Sequence, residues 1–272
     1  MNNRIYTRTE KSRNIFHENN EDSRFYGTYF LMNDDRVTVL NVADGISSAA
    51  DSRIASQRAV TGFTEAFHAG LVAEYASAPD GYSISHHLDR VKEIAVSAMC
   101  AANRKVCENI DEFTPTGTTL SVVILVDNNM ICLNVGDSPV YYYSAKADEF
   151  SLISTVQTRA EADYLEGKCE RYDEDYFRTD HIITSALGNM SSGNRALFDE
   201  KRICVRIQEK LATGDRILIG SDGCFGRMRE ERIWEIINQS NGHRALKELF
   251  EEARKDKNDD QTAILFCLDE EV

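Results

Sequence analysis

The sequence has no long apolar run, no closely paired cysteines and no excess of basic residues. None of its apolar stretches approaches the length that crosses a bilayer, and its first residues lack the apolar core of a signal peptide. The seven cysteines include no CxxC pair, and several lie within apolar runs, which favours free thiols in a reducing cytoplasm over disulfides or zinc. The formal net charge of −14 argues against binding to nucleic acid or anionic membranes.

What the chain has instead is a surplus of carboxylates that could hold hard cations. Hydrophobic residues make up 42% of its 272 residues and charged residues 28%, which is ordinary for a globular protein. There is no internal repeat, low-complexity tract or linker of Pro, Gly and Ser. The economical prediction is one domain over residues 1–272, of either α/β or α+β class.

Two apolar stretches end in the same dipeptide. Residues 36–42 lead into Asp44-Gly45, and residues 216–220 lead through Ser221 into Asp222-Gly223. Glycine lets the backbone bend sharply after a strand, so each aspartate is left at the tip of a rigid element. Either pair taken alone is better explained by an ordinary turn.

Periodicity predicts the remaining elements. Strands are expected at 25–32 and 36–42, then one-faced helices after residue 51 and from about residue 85, packed as a pair on a sheet. The stretches 118–126, 130–135 and 140–143 predict a meander of consecutive antiparallel strands. A weakly patterned segment, 154–198, predicts a helix, a loop and a short strand at 182–184, beside a site. Further elements are expected as strands near 203–207, 216–220 and 263–268 and helices at 230–238 and about 243–255. Residues 1–24 are polar, and no element is predicted there.

Carboxylates recur beside the strand boundaries, at Glu21-Asp22, Asp44, Asp137, Asp222 and Asp259-Asp260. If these strands are neighbours, the carboxylates repel one another unless some are protonated or divalent cations neutralise them. Ligand sets of oxygen without His or Cys select Mg²⁺ or Mn²⁺. Two such cations close together activate a water for attack on phosphorus. Composition and spacing alone do not bring the strand ends together.

Seven motifs, in order and in approximate spacing, resemble the metal-dependent protein Ser/Thr phosphatases of type 2C, the PPM family. The likeness spans about Ser12 to Leu268, and its motifs are Asn20-Glu21-Asp22, Val42-Ala43-Asp44-Gly45, Thr116-Gly117-Thr118-Thr119-Leu120, Asn134-Val135-Gly136-Asp137-Ser138, Ser185-Ala186-Leu187-Gly188, Gly220-Ser221-Asp222-Gly223 and Asp259-Asp260-Gln261-Thr262. The resemblance implies a four-layer αββα sandwich, with two central antiparallel β-sheets flanked by helices.

The resemblance also implies a dinuclear Mn²⁺ or Mg²⁺ site that hydrolyses phosphoserine or phosphothreonine by a water bridged between the metals, with no phosphoenzyme. By position, Asp44 is expected to bridge both metals. The Gly45 carbonyl and Glu21 are expected to serve one metal, and Asp222 and Asp259 the other. Asp22 is an expected supporting partner, and Asp137 an expected ligand of the third, weaker metal of many bacterial members.

The chain departs from the family pattern at several positions. His17 stands where the family usually has an Arg that grips the substrate phosphate, and one imidazole bond is a weaker substitute for a bidentate guanidinium, although Arg13 or Arg24 is near enough in sequence to take that role. Ile46-Ser47-Ser48 provides no general acid where some relatives carry a His. Gly226, Pro139 and Asp260 replace a frequent acidic residue, Arg and Asn respectively, and Gly226 weakens the expectation of a third metal.

Three hypotheses follow. The first is an active phosphatase that acts on a phosphorylated protein, opposes a Ser/Thr kinase and is a cytoplasmic monomer with no nucleic-acid or membrane partner. The second, motivated by His17 and Ser47-Ser48, is a catalytically impaired relative that acts as a regulatory binding module. The third is a hydrolase of small phosphoesters at the same metal site. In the family, the region of Asp173-Glu174-Asp175 forms a flap beside the cleft, and its acidity favours basic phosphosites.

Overall fold

The computed structural model describes residues 2–14, 18–108, 110, 114–189, 198–239 and 241–269, which form twelve β-strands and five α-helices. The strands are β1 (Asn2–Glu10), β2 (Ser23–Phe30), β3 (Arg36–Ala43), β4 (Thr116–Thr118), β5 (Leu120–Val126), β6 (Asn129–Val135), β7 (Val140–Ser144), β8 (Glu149–Leu152), β9 (Leu187–Asn189), β10 (Cys204–Gln208), β11 (Arg216–Gly220) and β12 (Gln261–Asp269). The helices are α1 (Ser52–Ser77), α2 (Leu88–Val106), α3 (Arg159–Leu165), α4 (Glu230–Ile237) and α5 (Gly242–Ala253).

Two five-stranded antiparallel sheets form the centre. One sheet has the order β1-β12-β11-β7-β8, and the other has the order β10-β6-β5-β3-β2. A short antiparallel pair, β4-β9, lies apart from both. The fully buried strands, such as β5 and most of β12, are apolar at nearly every position because both of their faces are covered.

The two faces of each central sheet pack against different layers. In β12, Ile264 and Phe266 belong to the core between the two sheets, together with Leu40 and Val123 of the other sheet. The neighbouring Leu265 faces the opposite way, into the core formed with α4 and α5. On the far side, α1 and α2 cover β3, β5 and β6, and their inward side chains recur at helical spacing. The layers therefore run helix, sheet, sheet, helix, which confirms the predicted αββα sandwich.

The predicted meander is wrong at its last strand. Strands β5 and β6 pair as expected, but β7 pairs with β11 and β8 in the other sheet. The chain crosses between sheets at Gly136, whose φ of +100° lies in a region that suits glycine. The crossing places Asp137 between the two sheets rather than in a hairpin turn.

The predicted strand at 182–184 is also wrong. Ile183 makes one isolated bridge, to Thr158, and Ile182 is 42% exposed, so no sheet edge or core stabilises an extended run there. Conversely, the unpredicted β1 pairs along its whole length with β12. The remaining predicted elements are present with shifted ends. None of the helices in the described ranges is apolar over a stretch long enough to cross a membrane.

Candidate metal centre

The antiparallel registers bring the predicted carboxylates to one edge of the two sheets. Asp44 follows the end of β3, which pairs there with the start of β2 through Ala43 and Ser23. Asp222 follows the end of β11, where Gly220 pairs with Ala263 near the start of β12. The start of β12 in turn pairs with the end of β1. Chain segments far apart in sequence thus end or begin at the same edge. The carboxylates that these segments carry are Glu21, Asp22, Asp44, Asp137, Asp222, Asp259 and Asp260.

Asp44 is held rigidly by its backbone. Its N–H donates to Thr119 Oγ1 at 2.9 Å, and its carbonyl accepts from Thr119 N–H and Thr118 Oγ1, both at 2.8 Å. These bonds replace the strand ladder that ends at Ala43 and fix the direction of the side chain. The Asp44 carboxyl lies close enough to that of Asp222 to lower the pKa of Asp222.

Two glycines make this crowding possible. A Cβ on Gly45 would lie 2.5 Å from the carbonyl oxygen of Ser52, and one on Gly223 would lie 2.1 Å from that of Asp260. Both distances are far below van der Waals contact. The two Asp-Gly pairs therefore do more than form turns. Because each glycine has no side chain, a second chain segment packs directly beside the preceding aspartate.

The aspartates perturb one another electrostatically. Burial, followed by the charges of Asp22, Asp222 and Asp259, raises the pKa of Asp44 well above its ordinary value. Burial together with neighbouring carboxylates also raises the pKa of Asp22 to about 8 and that of Asp137 to about 8. The cluster therefore binds protons, or other cations, far more strongly than separate carboxylates do.

Lys257 brings a positive charge to one side of this cluster. Its ammonium forms an ion pair with Asp222 and lies 3.4 Å from Asp259 Oδ2. Burial is the largest influence on the pKa of Asp222 and raises it, but the charge and hydrogen bond of Lys257, together with Asp44 and the backbone of Gly223, leave that pKa below its ordinary value. At Asp259, burial and the charge of Asp222 prevail, and its pKa is raised.

The donor chemistry of the cluster fits a hard divalent cation. Its side-chain donors are carboxylate oxygens, and Asp22 Oδ1 is buried without a hydrogen-bond partner. Within the described ranges, however, no three His, Cys, Asp or Glu side chains already form a metal cage. Ions of the Mg²⁺ type keep several waters and need few direct carboxylates, so the residues fit such an ion once Lys257 gives way.

Glu21 joins this region through its backbone rather than its carboxylate. Its N–H donates to Asp260 Oδ2 at 2.6 Å, and its carbonyl accepts from Gly45 N–H at 3.2 Å and from Ser56 Oγ at 2.6 Å. Its carboxylate instead accepts from Ser47 Oγ at 2.6 Å. The Glu21 carboxylate, an expected metal ligand, is therefore hydrogen-bonded to a serine side chain.

The expected phosphate-binding positions are only partly placed. His17 lies outside the described residues. Arg24 lies in a groove with Thr9 and Asp22, and its Nε is buried without a hydrogen-bond partner. Arg13 is exposed, and its backbone N–H donates to Asn258 Oδ1 at 3.0 Å.

Three supporting residues were not predicted from the sequence. Ser221 Oγ donates to Asp22 Oδ2 at 2.8 Å and accepts from Thr262 N–H at 3.0 Å. Thr119, the partner of Asp44, shares a hydrogen bond of 2.7 Å with Ser138. Ser221 and Thr119 stand inside the recognised motifs, which was a usable signal, whereas Lys257 lies in an ordinary-looking polar turn.

A cavity of about 110 Å³ opens beside the cluster and is lined by Asp137, Asp222, Lys257, Arg171, Tyr172 and Tyr176. Its outer wall comes from the weakly patterned segment that was predicted to lie near a site. There Asp173 caps a short turn, since its Oδ1 accepts from Tyr176 N–H at 2.7 Å. Glu174 and Asp175 are exposed, as expected of a solvated loop.

Comparison with solved structures gives several matches along nearly the whole chain. The PPM Ser/Thr phosphatase MsPP of Mycobacterium smegmatis, in complex with cacodylate, is 24% identical with a TM-score of 0.68, and the match covers 98% of each chain. The serine/threonine phosphatase of S. agalactiae is 19% identical with a TM-score of 0.71, over 98% of this chain and all of the other. The catalytic domain of PstP, in complex with two manganese ions, is 22% identical with a TM-score of 0.64, and the match covers 98% of this chain and 99% of the other.

At these identities the likeness shows the shared fold. A comparison with curated proteins found no match. The sequence model described as protein phosphatase 2C matches residues 17–261, which contain every carboxylate of the cluster. This chain belongs to the protein phosphatase 2C family.

Proposed function

We propose that this chain is a metal-dependent protein phosphatase that hydrolyses phosphoserine and phosphothreonine with two Mn²⁺ or Mg²⁺ ions. The observation that supports it best is the convergence of Asp44, Asp222 and Asp259 from three distant strand ends, with Asp22 and Asp137 beside them. Folding concentrates negative charge at one edge of the sheets. A protein that keeps so costly an arrangement has a use for the cations that relieve it.

The side chains have distinct roles in this proposal. Asp44 is fixed by Thr119 and would bridge both ions. Asp222 and Asp259 would hold one ion, and the Gly45 carbonyl and Glu21 the other. The Glu21 carboxylate must leave Ser47 Oγ to do so. Asp137 would serve a third, weaker ion.

When bound, the ions lower the pKa of a water molecule and neutralise the charge of the phosphate. The chain itself supplies orientation and proton storage. Ser221 Oγ donates to Asp22 Oδ2, which leaves Asp22 Oδ1 to hold a proton beside the cluster. Without bound ions, burial raises the pKa of Asp22 to about 8, so Asp22 carries this proton at neutral pH and releases it when the ions bind.

The proposed substrate is a protein phosphorylated by a Ser/Thr kinase. The solved relative that holds two manganese ions supports manganese as the first metal to test. The cavity beside Asp222 supports a substrate larger than phosphate, because it extends the metal centre toward Tyr172 and Tyr176.

The test is release of phosphate from phosphoserine and phosphothreonine peptides, measured against Mn²⁺ concentration. We expect Asp44→Asn and Asp222→Asn to lower kcat/KM by about 100-fold or more, a loss of about 3 kcal/mol in transition-state stabilisation. The matched control is Asp89→Asn, which removes an exposed carboxylate of α2 far along the chain from the cluster. Wild-type activity no higher than that of Asp44→Asn would overturn the proposal and favour a binding module.

The same assay distinguishes the substrate class. We expect phosphopeptides to be hydrolysed with a higher kcat/KM than free phosphosugars, because only the peptide contacts the cavity wall. A preference for phosphosugars would assign the same metal centre to small phosphoesters.

A further inference from the structure

Lys257 is positioned by the turn that joins α5 to β12. Its backbone N–H donates to the carbonyl of Ala253 at 3.0 Å, so the side chain starts from the rigid end of α5. The ammonium contacts Asp222 Oδ2 and lies 3.4 Å from Asp259 Oδ2. These are the two carboxylates that the proposed function assigns to one and the same metal ion.

The contact is a partly enclosed one. The side chains of Lys257, Asp222 and Asp259 are 35%, 29% and 36% exposed, so water screens their charges less than it screens surface ion pairs. Asp137, which is buried, also feels the charge of Lys257. One ammonium therefore neutralises the Asp222 side of the cluster, where several carboxylates meet.

An ammonium and a divalent cation cannot share these oxygens, because like charges a few ångströms apart repel strongly in such surroundings. A lysine has a flexible stem of four carbons, and the adjacent cavity leaves room for the ammonium to move aside while staying charged.

We propose that Lys257 is a tethered internal cation that occupies the Asp222–Asp259 half of the cluster in the metal-free protein and competes with the divalent ion that binds there. This inference rests on the proposed metal centre. The competition makes the two metal ions differ in affinity. The ion held by Asp44 and the Gly45 carbonyl enters first, and the second enters only when Lys257 leaves. The second occupancy then sets the metal concentration at which activity appears.

The test is Mn²⁺ binding to the metal-free full-length protein by titration calorimetry, with equilibrium dialysis to count the ions. We expect two unequal sites in the wild type. Lys257→Met removes the competing charge and should tighten the weaker site by about tenfold or more, equivalent to about 1.4 kcal/mol. Lys257→Arg keeps a charge and should leave the weaker site weak. Lys255→Met removes an exposed neighbour that pairs with Glu252 and should change neither site.

A measurement on the wild type covers the case in which Lys257→Met does not fold. In protein labelled with ¹³C at lysine Cε, the Lys257 signal is assigned by its loss in Lys257→Arg. We expect this signal to shift as Mg²⁺ fills the weaker site, since the ammonium leaves Asp222. Unchanged or weaker binding in Lys257→Met, or a Lys257 signal that ignores Mg²⁺ while two ions bind, would overturn the inference alone. Absence of any Mn²⁺ binding to the wild type would instead overturn the proposed metal centre.

Discussion

The carboxylate of Asp260 accepts a hydrogen bond from the backbone N–H of Glu21, at 2.6 Å between Oδ2 and nitrogen. Its other oxygen accepts from the N–H of Ser12, also at 2.6 Å. One buried side chain at the start of β12 thus holds two points of the segment that leads into β2. This segment carries Glu21 and Asp22, so Asp260 positions one side of the carboxylate cluster.

Asp260→Ala should therefore destabilise the fold and loosen Glu21 and Asp22 together. Loss of two charge-assisted hydrogen bonds should lower the free energy of unfolding by about 3 kcal/mol, measured in urea. Mn²⁺ affinity should fall in parallel, because the Gly45–Glu21 contact loses its support. Asp256→Ala, at an exposed position in the same turn, is the control and should change neither quantity. Full Mn²⁺ affinity in a destabilised Asp260→Ala protein would contradict the positioning role.

Gly223→Ala tests the close passage of two chain segments beside Asp222. The added methyl would meet the Asp260 carbonyl oxygen at 2.1 Å, so the backbone of the 259–260 segment must move. We expect kcat/KM for phosphopeptide to fall by at least about tenfold as Asp222 and Asp259 separate. Gly81→Ala is the control. It strains a position with φ of +78° but meets nothing within 4 Å, so stability should fall slightly while activity stays unchanged.

The strand ends could be predicted from the sequence because local rules apply there. An apolar run followed by Asp-Gly indicates a strand, a sharp bend and a carboxylate at the end of the strand, and Asp44 and Asp222 both lie at such ends. The pairing partners of these strands could not be predicted from local sequence. The crossing at Gly136 and the pairing of β1 with β12 depend on contacts over most of the chain length. The polar alternation of β1, with Arg4 and Arg8 in it, gave no apolar signal to follow.

The details of the metal centre depend on side-chain directions that no motif encodes. Glu21 stands in a recognised motif, but its carboxylate turns to Ser47 Oγ. Lys257 has no motif at all, and only the folded turn brings it to Asp222. The motifs thus identified the residues of the carboxylate cluster, whereas Lys257, which contacts that cluster, was not identified.

The metal-free protein should become less stable as pH rises toward 8. An unfolded aspartate releases its proton near pH 3.9, whereas burial and the charge of Asp222 raise the pKa of Asp137 to about 8 in the fold. Between these values the folded protein holds a proton that the unfolded chain has lost, so the stabilisation present at low pH disappears as pH rises through this window.

The measurement is urea unfolding at several pH values from 5 to 8, with EDTA present. We expect the free energy of unfolding of the wild type to fall by more than about 1.4 kcal/mol per pH unit, because the pKa of Asp22 is raised to about 8 as well, and the slope in Asp137→Asn to be smaller by about 1.4 kcal/mol per pH unit. Saturating Mn²⁺ should flatten the dependence, because the ions take over the role of the protons. Asp89→Asn should follow the wild type. Identical slopes for the wild type and Asp137→Asn would show that Asp137 does not take part.

Glu161 should control how the cavity wall meets a substrate. It is buried, pairs with Arg171 and accepts a hydrogen bond from Tyr176 Oη at 3.0 Å, so it joins α3 to the aromatic part of the wall. Glu161→Gln leaves the partly buried guanidinium of Arg171 without this carboxylate and should cost about 2 kcal/mol of folding stability. The wall then becomes mobile next to Asp222 and Lys257, which line the same cavity.

The kinetic result should depend on substrate size. We expect KM for a phosphopeptide to rise several-fold in Glu161→Gln, while kcat/KM for a small aryl phosphate, which does not reach the wall, changes less than twofold. Asp163→Asn is the matched control, since it removes a carboxylate of the same helix that pairs with Arg159 and Lys168 at the surface, where ion pairs contribute little. Equal losses on both substrates would place the effect of Glu161 in the metal centre itself, because only an altered centre lowers turnover of a substrate that never contacts the wall.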